Sequence, residues 1–268
     1  MSVQTLYTAA TGMVALETKL DVVANNLANV NTTAFKRERV NFEDLFYRNI
    51  TLPGIQDAQG QYTPTGIAVG LGARVQSTQT NFQQGAFSTT NRQLDVAIEG
   101  NGFFQVIEPT TGQFVYTRAG NFSINSNGQI VVGSAETGRV LQPSITIPPD
   151  TMNISISSQG IVAVQQPGNP QFTQVGQLTL AYFINPEGLL KLGENMYQET
   201  IAAGGVNLSL PGVNGLGNLR QNTLELSNVE PVQELIDLIT TQRSFELNSQ
   251  CVQAGDQILQ LISNLRRF

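Results

Sequence analysis

Histidine and tryptophan are absent from this chain of 268 residues, which has a single cysteine, Cys251. Without histidine there is no histidine general base, no Ser-His-Asp relay and no histidine-ligated metal. A lone cysteine also excludes an intrachain disulfide and a zinc site built from several cysteines. These absences predict a protein that is not an enzyme, with no catalytic residues, no cofactor and no metal.

Positive charge and long apolar runs are also scarce. The chain has 14 basic and 20 acidic residues, a net charge of −6, so it lacks the basic surface expected of a nucleic-acid-binding protein. No apolar run approaches the roughly 20 residues of a membrane helix. The first residues lack the basic and apolar regions of a secretory signal. We expect no nucleic-acid partner, no membrane insertion and, if the protein is exported, no cleaved signal peptide.

What the sequence does contain is helical periodicity at both ends. Apolar residues recur there every three or four positions, the heptad pattern of helices that pack side by side. We interpret these two seams as assembly surfaces. The seam positions are Leu6, Ala9, Met13, Leu16, Leu20, Val23, Leu27 and Val30 in the first helix, and Leu247, Cys251, Ala254, Ile258, Leu261, Leu265 and Phe268 in the second.

The face opposite the first seam is small and uncharged. It includes Thr11, Ala15 and Thr18, where a solvated helix face normally carries lysine and glutamate. Burial of one seam does not offset the conformational entropy lost in ordering a helix of this length. We therefore expect neighbouring copies of the chain to cover the remaining faces.

The stretch ANNLANVNTTAFKR (24–37) crowds asparagines at the end of the first helix. Helix termination accounts for Asn31, since asparagine readily turns the chain. It does not account for Asn25, Asn26 and Asn29, which lie on the uncharged face or its flank. We predict that these three amides fix the register between subunits, as a buried asparagine does in a coiled coil.

The second helix has two further features. Ser227 or Asn228 is expected to cap it, with Pro231 in the first turn. Arg243 and Glu246 lie beside an irregular step in its heptad. They fit either a helix-surface ion pair or an intersubunit contact, and the irregular step favours the contact.

Between the helices the sequence is typical of β-structure. Glycine, proline, asparagine and β-branched residues alternate with turn signals about every ten residues. Residues 94–108 and 114–133 predict strands, with a type I′ hairpin at Asn127 and Gly128. Residues 46–72 have no helical period and predict an extended loop or ribbon.

The predicted fold class is α+β. Long N- and C-terminal helices pair in a coiled-coil-like domain, accompanied by an extended middle segment and a β-rich outer domain. The predicted boundaries are 1–36 for the N-terminal helix, 37–74 for the extended or ribbon segment, 75–225 for the β-rich domain and 226–268 for the C-terminal helix.

Several stretches resemble one family. ANNLANVNTTAFKR resembles the N-terminal signature of the axial family, the rod and hook proteins of the bacterial flagellum, and TQRSFELNSQCVQAGDQILQLISNL resembles its C-terminal helix. DVAIEGNGFFQV, YTRAGNFSINSNGQIV and GQLTLAYFINPEGLLKLGENMYQET resemble further family segments. The resemblance covers nearly the whole chain and is closest to distal rod members, because residues 46–72 look like their extended segment.

This resemblance implies a structural subunit of the distal rod, which polymerises helically into the hollow drive shaft between rotor and hook. The implied partners are further copies of the chain, other rod and hook subunits, ring bushing proteins and the flagellar type III export apparatus. The implied location is the basal body, where the rod crosses the periplasm. The terminal helices would form the inner tube, and the β domain would face outward.

Three other interpretations stay open. The chain resembles other axial subunits, from the proximal rod or the hook, less closely. A secreted adhesin-like β protein, oligomerised by its terminal helices, would form a small closed oligomer instead of tubes. A glycosidase-type enzyme would use a carboxylate pair such as Asp95 and Glu99, although ordinary surface charge explains these two residues better.

Overall fold

The computed structural model describes residues 3–54, 56, 62, 64–133, 138–168 and 171–265. The chain folds as two compact units. Unit 1 contains Met1–Ala28, Glu38–Thr80 and Glu230–Phe268, and unit 2 contains Asn29–Arg37 and Asn81–Val229. The chain therefore passes between the units four times, after residues 28, 37, 80 and 229.

Unit 1 is built on two long helices, α1 (Val3–Ala28) and α2 (Pro231–Leu265). They pack against each other, with Asn26 bonded to Glu234 and Gly255 close to Leu6. Because the end of one helix meets the start of the other, the pair is antiparallel. The predicted pairing of the terminal helices is thus confirmed.

A β-ribbon made of two consecutive strand pairs completes unit 1. The strands are β1 (Glu38–Asp44), β2 (Tyr47–Thr51), β3 (Ile67–Gly70) and β4 (Ala73–Thr80). β1 pairs antiparallel with β4, and β2 pairs antiparallel with β3. The inner pair is nested within the outer one, because the N–H of Leu45 bonds to Gly72 and that of Leu71 bonds to Phe46. Both ends of 46–72 therefore belong to a ribbon, through Tyr47–Thr51 and Ile67–Gly70. Residues 55, 57–61 and 63 lie outside the described part of the chain.

Unit 2 is rich in β-structure. Its strands are β5 (Phe87–Thr89), β6 (Val96–Glu99), β7 (Phe103–Ile107), β8 (Phe114–Thr117), β9 (Phe122–Ile124), β10 (Ile130–Val132), β11 (Val140–Gln142), β12 (Asn153–Ile156), β13 (Ile161–Gln165), β14 (Thr173–Gln177), β15 (Leu180–Tyr182), β16 (Leu190–Gly193), β17 (Met196–Gln198), β18 (Asn207–Ser209), β19 (Asn218–Gln221) and β20 (Thr223–Glu225). Short 3₁₀ helices span Pro186–Gly188 and Ile201–Ala203.

The strands of unit 2 pair antiparallel in several sheets. The largest sheet has the order β16-β17-β8-β7-β11-β10-β9, and β15 joins it by pairing with β7 and β18. A second sheet has the order β12-β13-β14, and β6 pairs with β19 as β5 does with β20. The predicted strand-rich middle of the chain is confirmed.

The core of unit 2 is apolar and aromatic. Phe104 packs edge-on against Phe122, with ring centroids 5.0 Å apart. Gly120 permits a close approach of two backbone segments, because a Cβ at this position would lie 1.6 Å from the carbonyl oxygen of Val96. The glycine in the YTRAG stretch is therefore required by packing.

Two local predictions were wrong. Strands β9 and β10 form the predicted hairpin. Its turn is not type I′, because a type I′ turn needs positive φ at both central residues. Of the Asn127-Gly128 pair, Gly128 alone has positive φ. The cap of α2 also differs, because the carbonyl of Glu230 accepts the N–H of Glu234 and the amide of Asn228 is bonded within unit 2.

Candidate assembly surface

The structure places most of the α1 seam in partly covered positions. Val23 is buried, whereas Val30 lies beyond the end of α1 and belongs to unit 2. The prediction that Val30 continues the helical seam is therefore wrong, because the helix already ends at Ala28. The half-buried members of the seam are Leu6, Ala9, Met13, Leu16, Leu20 and Leu27.

The predicted α2 seam is mostly exposed. Leu247 and Leu261 are 62% and 63% exposed, Cys251 is exposed and Ile258 is half-buried. The side chain of Leu265 lies outside the described part of the chain. Within one chain, these positions are not the face of α2 that packs on α1.

A different heptad of α2 packs on α1. Its members follow alternating steps of four and three residues and are less exposed than their neighbours: Glu234, Leu238, Thr241, Phe245, Asn248, Val252, Gly255 and Leu259. Three of them, Glu234, Asn248 and Gly255, lie against residues of α1. A search for apolar residues misses this heptad because half of its members are polar or glycine. The spacing of those small and polar residues was the available signal.

The remaining apolar surface of α2 forms an exposed stripe, which we call the α2 stripe. At about 100° per residue, it lies on the face opposite the heptad that contacts α1. The α2 stripe consists of Val232, Ile236, Ile239, Leu247 and Leu261. Arg243 interrupts it between Ile239 and Leu247, and Glu246 and Cys251 are exposed at its two edges.

The uncharged face of α1 lies along the ribbon of the same chain. Between them lies an open groove with a volume of about 490 Å³, which we call the α1 groove. Val14 in this groove is 65% exposed. Within the chain, β1 and β4 already cover part of this face, and the expectation that neighbouring copies cover the rest stays a prediction. The groove is lined by residues that include Tyr7, Thr11, Val14, Thr18, Leu45 and Val75.

Asn26 is the centre of a buried polar cluster in unit 1. It is 1% exposed. Its Nδ2 donates to the carbonyl of Glu38 at 2.8 Å and to Oε2 of Glu234 at 3.2 Å. Its Oδ1 accepts the N–H of Glu38 at 2.9 Å. One amide thus joins the end of α1, the start of β1 and the first turn of α2.

This cluster changes the interpretation of the three asparagines. The predicted intersubunit role of Asn26 is wrong, because both amide hydrogens and the oxygen are engaged within the chain. Asn25 is exposed on α1. Asn29 lies past the helix end, where its Oδ1 accepts the hydroxyl hydrogen of Thr32 at 3.0 Å. The intersubunit roles of Asn25 and Asn29 stay predictions.

Unit 2 holds a buried triad of charges. The Nζ of Lys36 donates to Oε1 of Glu225 at 2.6 Å, and the Nε of Arg118 donates to Oε2 at 2.9 Å. The N–H of Gly85 also donates to Oε1 of Glu225. All three charged side chains are almost completely buried. Removal of one member would leave the others as uncompensated buried charges.

The triad is charged at neutral pH. Burial lowers the pKa of Lys36 to about 8, although Glu225 acts in the opposite direction. Burial works to raise the pKa of Glu225, but the charges of Arg118 and Lys36 hold it below its ordinary value. Both cations therefore face an ionised carboxylate.

Asn228 forms a second amide cluster in unit 2. Its Oδ1 accepts the N–H of Arg37 at 2.7 Å, and its Nδ2 donates to the carbonyls of Asn81 and Gln83 at 2.9 and 3.0 Å. The N–H of Asn81 in turn donates to the carbonyl of Arg37 at 2.8 Å. One side chain thus joins three segments that are distant in sequence.

These clusters contain the residues that sequence reasoning missed. Lys36 and Arg118 stand in the stretches AFKR and YTRAG, which the resemblance singled out without giving either residue a role. Glu225 and Asn228 stand in the stretch TLELSN, shortly before α2. Charged residues amount to 13% of the chain, so a charge within an apolar stretch was the available signal.

The structure does not support the carboxylate pair of the enzyme hypothesis. Asp95 is 1% exposed just before β6, whereas Glu99 is exposed at the end of that strand. The two side chains therefore do not share a solvent-facing site. Among the described residues, no cluster of three or more histidine, cysteine or acidic side chains is placed to hold a metal ion. In the same part of the chain, no helix is long and apolar enough to cross a membrane.

Family models match three stretches of the chain. Residues 6–36 match a family model described as flagella basal body rod protein, residues 97–164 match the flagellar hook protein FlgE/F/G D1 domain, and residues 220–265 match the flagellar basal body rod FlgEFG protein C-terminal.

Full-length relatives extend this match. The flagellar basal-body rod protein FlgG of Caulobacter vibrioides is 45% identical over 98% of this chain and 99% of its own length. FlgG of Bacillus subtilis is 36% identical over 98% of this chain and 99% of its own length. The hook-basal body complex protein FlhP of Bacillus subtilis is 30% identical over the same shares. The chain belongs to the FlgG family of flagellar basal-body rod proteins.

Proposed function

We propose that this chain is a structural subunit of the flagellar distal rod, which polymerises helically with further copies of itself into a hollow shaft that transmits torque. Near full-length similarity to basal-body rod proteins carries this proposal. The family is a structural one, which agrees with the prediction that the chain is not an enzyme.

Self-assembly is supported by two unlike apolar surfaces on unit 1. The α2 stripe is a convex row of large apolar side chains, and the α1 groove is concave, with small and apolar walls. We propose that the α2 stripe of one copy packs into the α1 groove of the next.

Such a contact is heterologous, because each copy contributes a different surface. Heterologous contacts that do not close into a ring generate open helical filaments, whereas isologous contacts stop at a dimer. A stripe-to-groove contact therefore accounts for a helical polymer. The helices would then combine the antiparallel pairing seen within one chain with coiled-coil-like packing between chains.

The finer assignments follow from this role. Asn25, Asn29, Arg243 and Glu246 lie at exposed or half-exposed positions and would set the register between copies. Other rod and hook subunits, ring bushing proteins and the type III export apparatus would be the remaining partners. The rod would cross the periplasm in the basal body, and the terminal helices would form its inner tube.

Electron microscopy of the concentrated full-length protein tests the proposal. Hollow helical tubes are the expected result. A closed trimer or tetramer would contradict the rod assignment and would favour the adhesin-like alternative.

Cysteine crosslinking tests which surfaces meet. The only native thiol, Cys251, is exposed at the edge of the α2 stripe, so V14C provides a second thiol in the α1 groove. A short thiol crosslinker should convert assembled V14C protein into a ladder of covalent oligomers. The control I201C places the second thiol on a fully exposed residue of unit 2 and should give no ladder. Equal products from both variants would exclude a stripe-to-groove contact.

A further inference from the structure

The largest sheet of unit 2 has an open cleft on one of its faces, which we call the glutamine cleft. Its volume of about 580 Å³ is within the range of roughly 300–1,000 Å³ that is usual for small-molecule sites. Four of the described residues that line it are glutamines: Gln105, Gln113, Gln142 and Gln198. Each glutamine amide brings two hydrogen-bond donors and an acceptor oxygen to the cleft.

Three of the lining residues form a row across neighbouring strands. Gln142 of β11 lies directly opposite Gln105 of β7, which in turn lies directly opposite Tyr116 of β8. Opposed residues of antiparallel strands share one face of the sheet, so these three side chains stand next to one another. Phe114 shares this face because it lies two residues before Tyr116 on β8. Regular strands therefore position the floor of the cleft.

Gln105 and Tyr116 are held in place within the chain. They are 6% and 2% exposed. The Tyr116 hydroxyl donates to the carboxylate of Glu199, and its oxygen accepts from the amide of Gln105. Burial, together with the charge of Glu199, raises the pKa of Tyr116, so the hydroxyl keeps its proton at neutral pH. The bond to Tyr116 uses one donor hydrogen of Gln105, and the amide has a second hydrogen and a carbonyl oxygen besides.

The rim of the cleft adds further amides and apolar surface. The Nε2 of Gln198 donates to Oε1 of Gln113 at 2.9 Å, which orients the two amides. The Nε2 of Gln113 and the Oε1 of Gln198 take no part in this bond. Phe114 and Leu208 line the same cleft and are each 51% exposed. The cleft therefore offers donors, acceptors and apolar contact side by side.

The charge of the cleft restricts the class of ligand. Among the described residues, no lysine or arginine lines it, and Glu199 is its only carboxylate. Phosphates and carboxylates are bound mainly through such cations, so an anionic ligand does not fit. A purely apolar ligand would displace water from the amides without replacing its hydrogen bonds. A sugar ring suits the cleft, because its hydroxyl groups both donate and accept while its C–H faces pack on apolar side chains.

We propose that the glutamine cleft binds a neutral saccharide. Gln105, Gln113 and Gln142 bond to its hydroxyl groups, and Phe114 and Leu208 pack against the face of a ring. All of these residues belong to unit 2 of one chain, so the site does not depend on polymerisation. A chain that failed to form tubes would still bind the saccharide, which separates a failure of this inference from a failure of the rod assignment.

Saturation-transfer difference NMR on the unassembled full-length protein tests the site. The probe is tri-N-acetylchitotriose, because it is neutral and its hydroxyl and acetamido groups both donate and accept. We expect saturation transfer at millimolar concentration. Q113A should weaken binding by roughly 3- to 10-fold, since one hydrogen-bonding group is lost. The matched control Q174A removes an equally exposed glutamine of β14 and should bind like the native chain.

Q105L tests the buried floor of the cleft. Leucine keeps much of the shape of glutamine and removes the amide, so binding should again weaken by roughly 3- to 10-fold. If Q105L does not accumulate, Q142A replaces it, because Gln142 is a half-buried member of the same row.

Three results would overturn the proposal. One is the absence of saturation transfer to the native chain at millimolar concentration. Another is equal affinity of Q113A and Q174A, which would place the saccharide outside the cleft. The third is equal binding of a neutral peptide made of glutamine and serine, because the cleft would then recognise a protein partner instead of a saccharide.

Discussion

The neighbouring asparagines of α1 offer a matched test of what the amide cluster contributes. N26A removes the donor to the Glu38 carbonyl, the donor to the Glu234 carboxylate and the acceptor for the Glu38 N–H. N25A removes the same chemical group one residue earlier, at an exposed position. The pair therefore separates burial from residue type.

The size of the effect follows from the groups left behind. Each buried polar group that loses its partner costs about 1–3 kcal/mol. Loss of three such bonds, with some entry of water, should lower the free energy of unfolding by about 3 to 5 kcal/mol in N26A. That is a large fraction of the 5–15 kcal/mol that stabilises most proteins. N25A should stay within about 0.5 kcal/mol of the native chain, as surface substitutions usually do.

Thermal unfolding followed by far-ultraviolet circular dichroism measures the difference. For a chain of this size each kcal/mol corresponds to roughly 2–4 °C, so N26A should lower the melting temperature by about 6 to 20 °C. N25A should melt like the native chain and instead form fewer tubes after concentration. Equal melting of N25A and N26A would refute the inference that the Asn26 bonds stabilise the monomer.

Four further substitutions concern buried charges and glycines. E225Q should destabilise the protein by about 3 to 5 kcal/mol at neutral pH, because two buried cations lose their counter-charge. Since the folded pKa of Glu225 lies below its ordinary value of 4.5, its contribution is present above that pH and is lost as the pH falls through the folded pKa, so urea titrations of the two proteins should converge in acid. G120A should prevent folding of unit 2, seen as loss of protease-resistant protein, because its Cβ would overlap a backbone oxygen. G12A should raise the free energy of unfolding by about 0.5 to 1 kcal/mol in chemical denaturation, because alanine is the better helix former and its Cβ would lie 3.4 Å from Asn248, an ordinary contact distance. G255V should lower the free energy of unfolding, because a Cβ at this position would lie 2.6 Å from Leu6.

The helices and the strand-rich middle were predictable because both rest on local periodicity. The seam of α1 came from leucines at regular spacing, and the β9–β10 hairpin came from Asn127 and Gly128. These signals need only neighbours in sequence. They were sufficient for the order of elements and for the pairing of the terminal helices.

The clusters were not predictable because their partners are far apart in sequence. Asn26 looked like an amide on a helix flank until Glu38 and Glu234 were placed beside it. Asn228 looked like a helix cap, but its hydrogen bonds reach residues more than a hundred positions away. The turn after α1 also depends on a residue that is distant in sequence. Ala34, and not Asn31, has positive φ there, and the carbonyl of Glu225 accepts the N–H of Ala34.

The two helices of the antiparallel pair differ in length. α2 has 35 residues and α1 has 26, and Gly255 already lies opposite Leu6. The last turns of α2 therefore extend past Val3, the first described residue of α1, by about 10 Å at 1.5 Å per residue. A chain shortened after Leu259 should keep its own helix pair intact yet lose this overhang. Because Leu261 lies in this overhang, the shortened chain would bring a weaker α2 stripe to the proposed contact, while its α1 groove would stay unchanged.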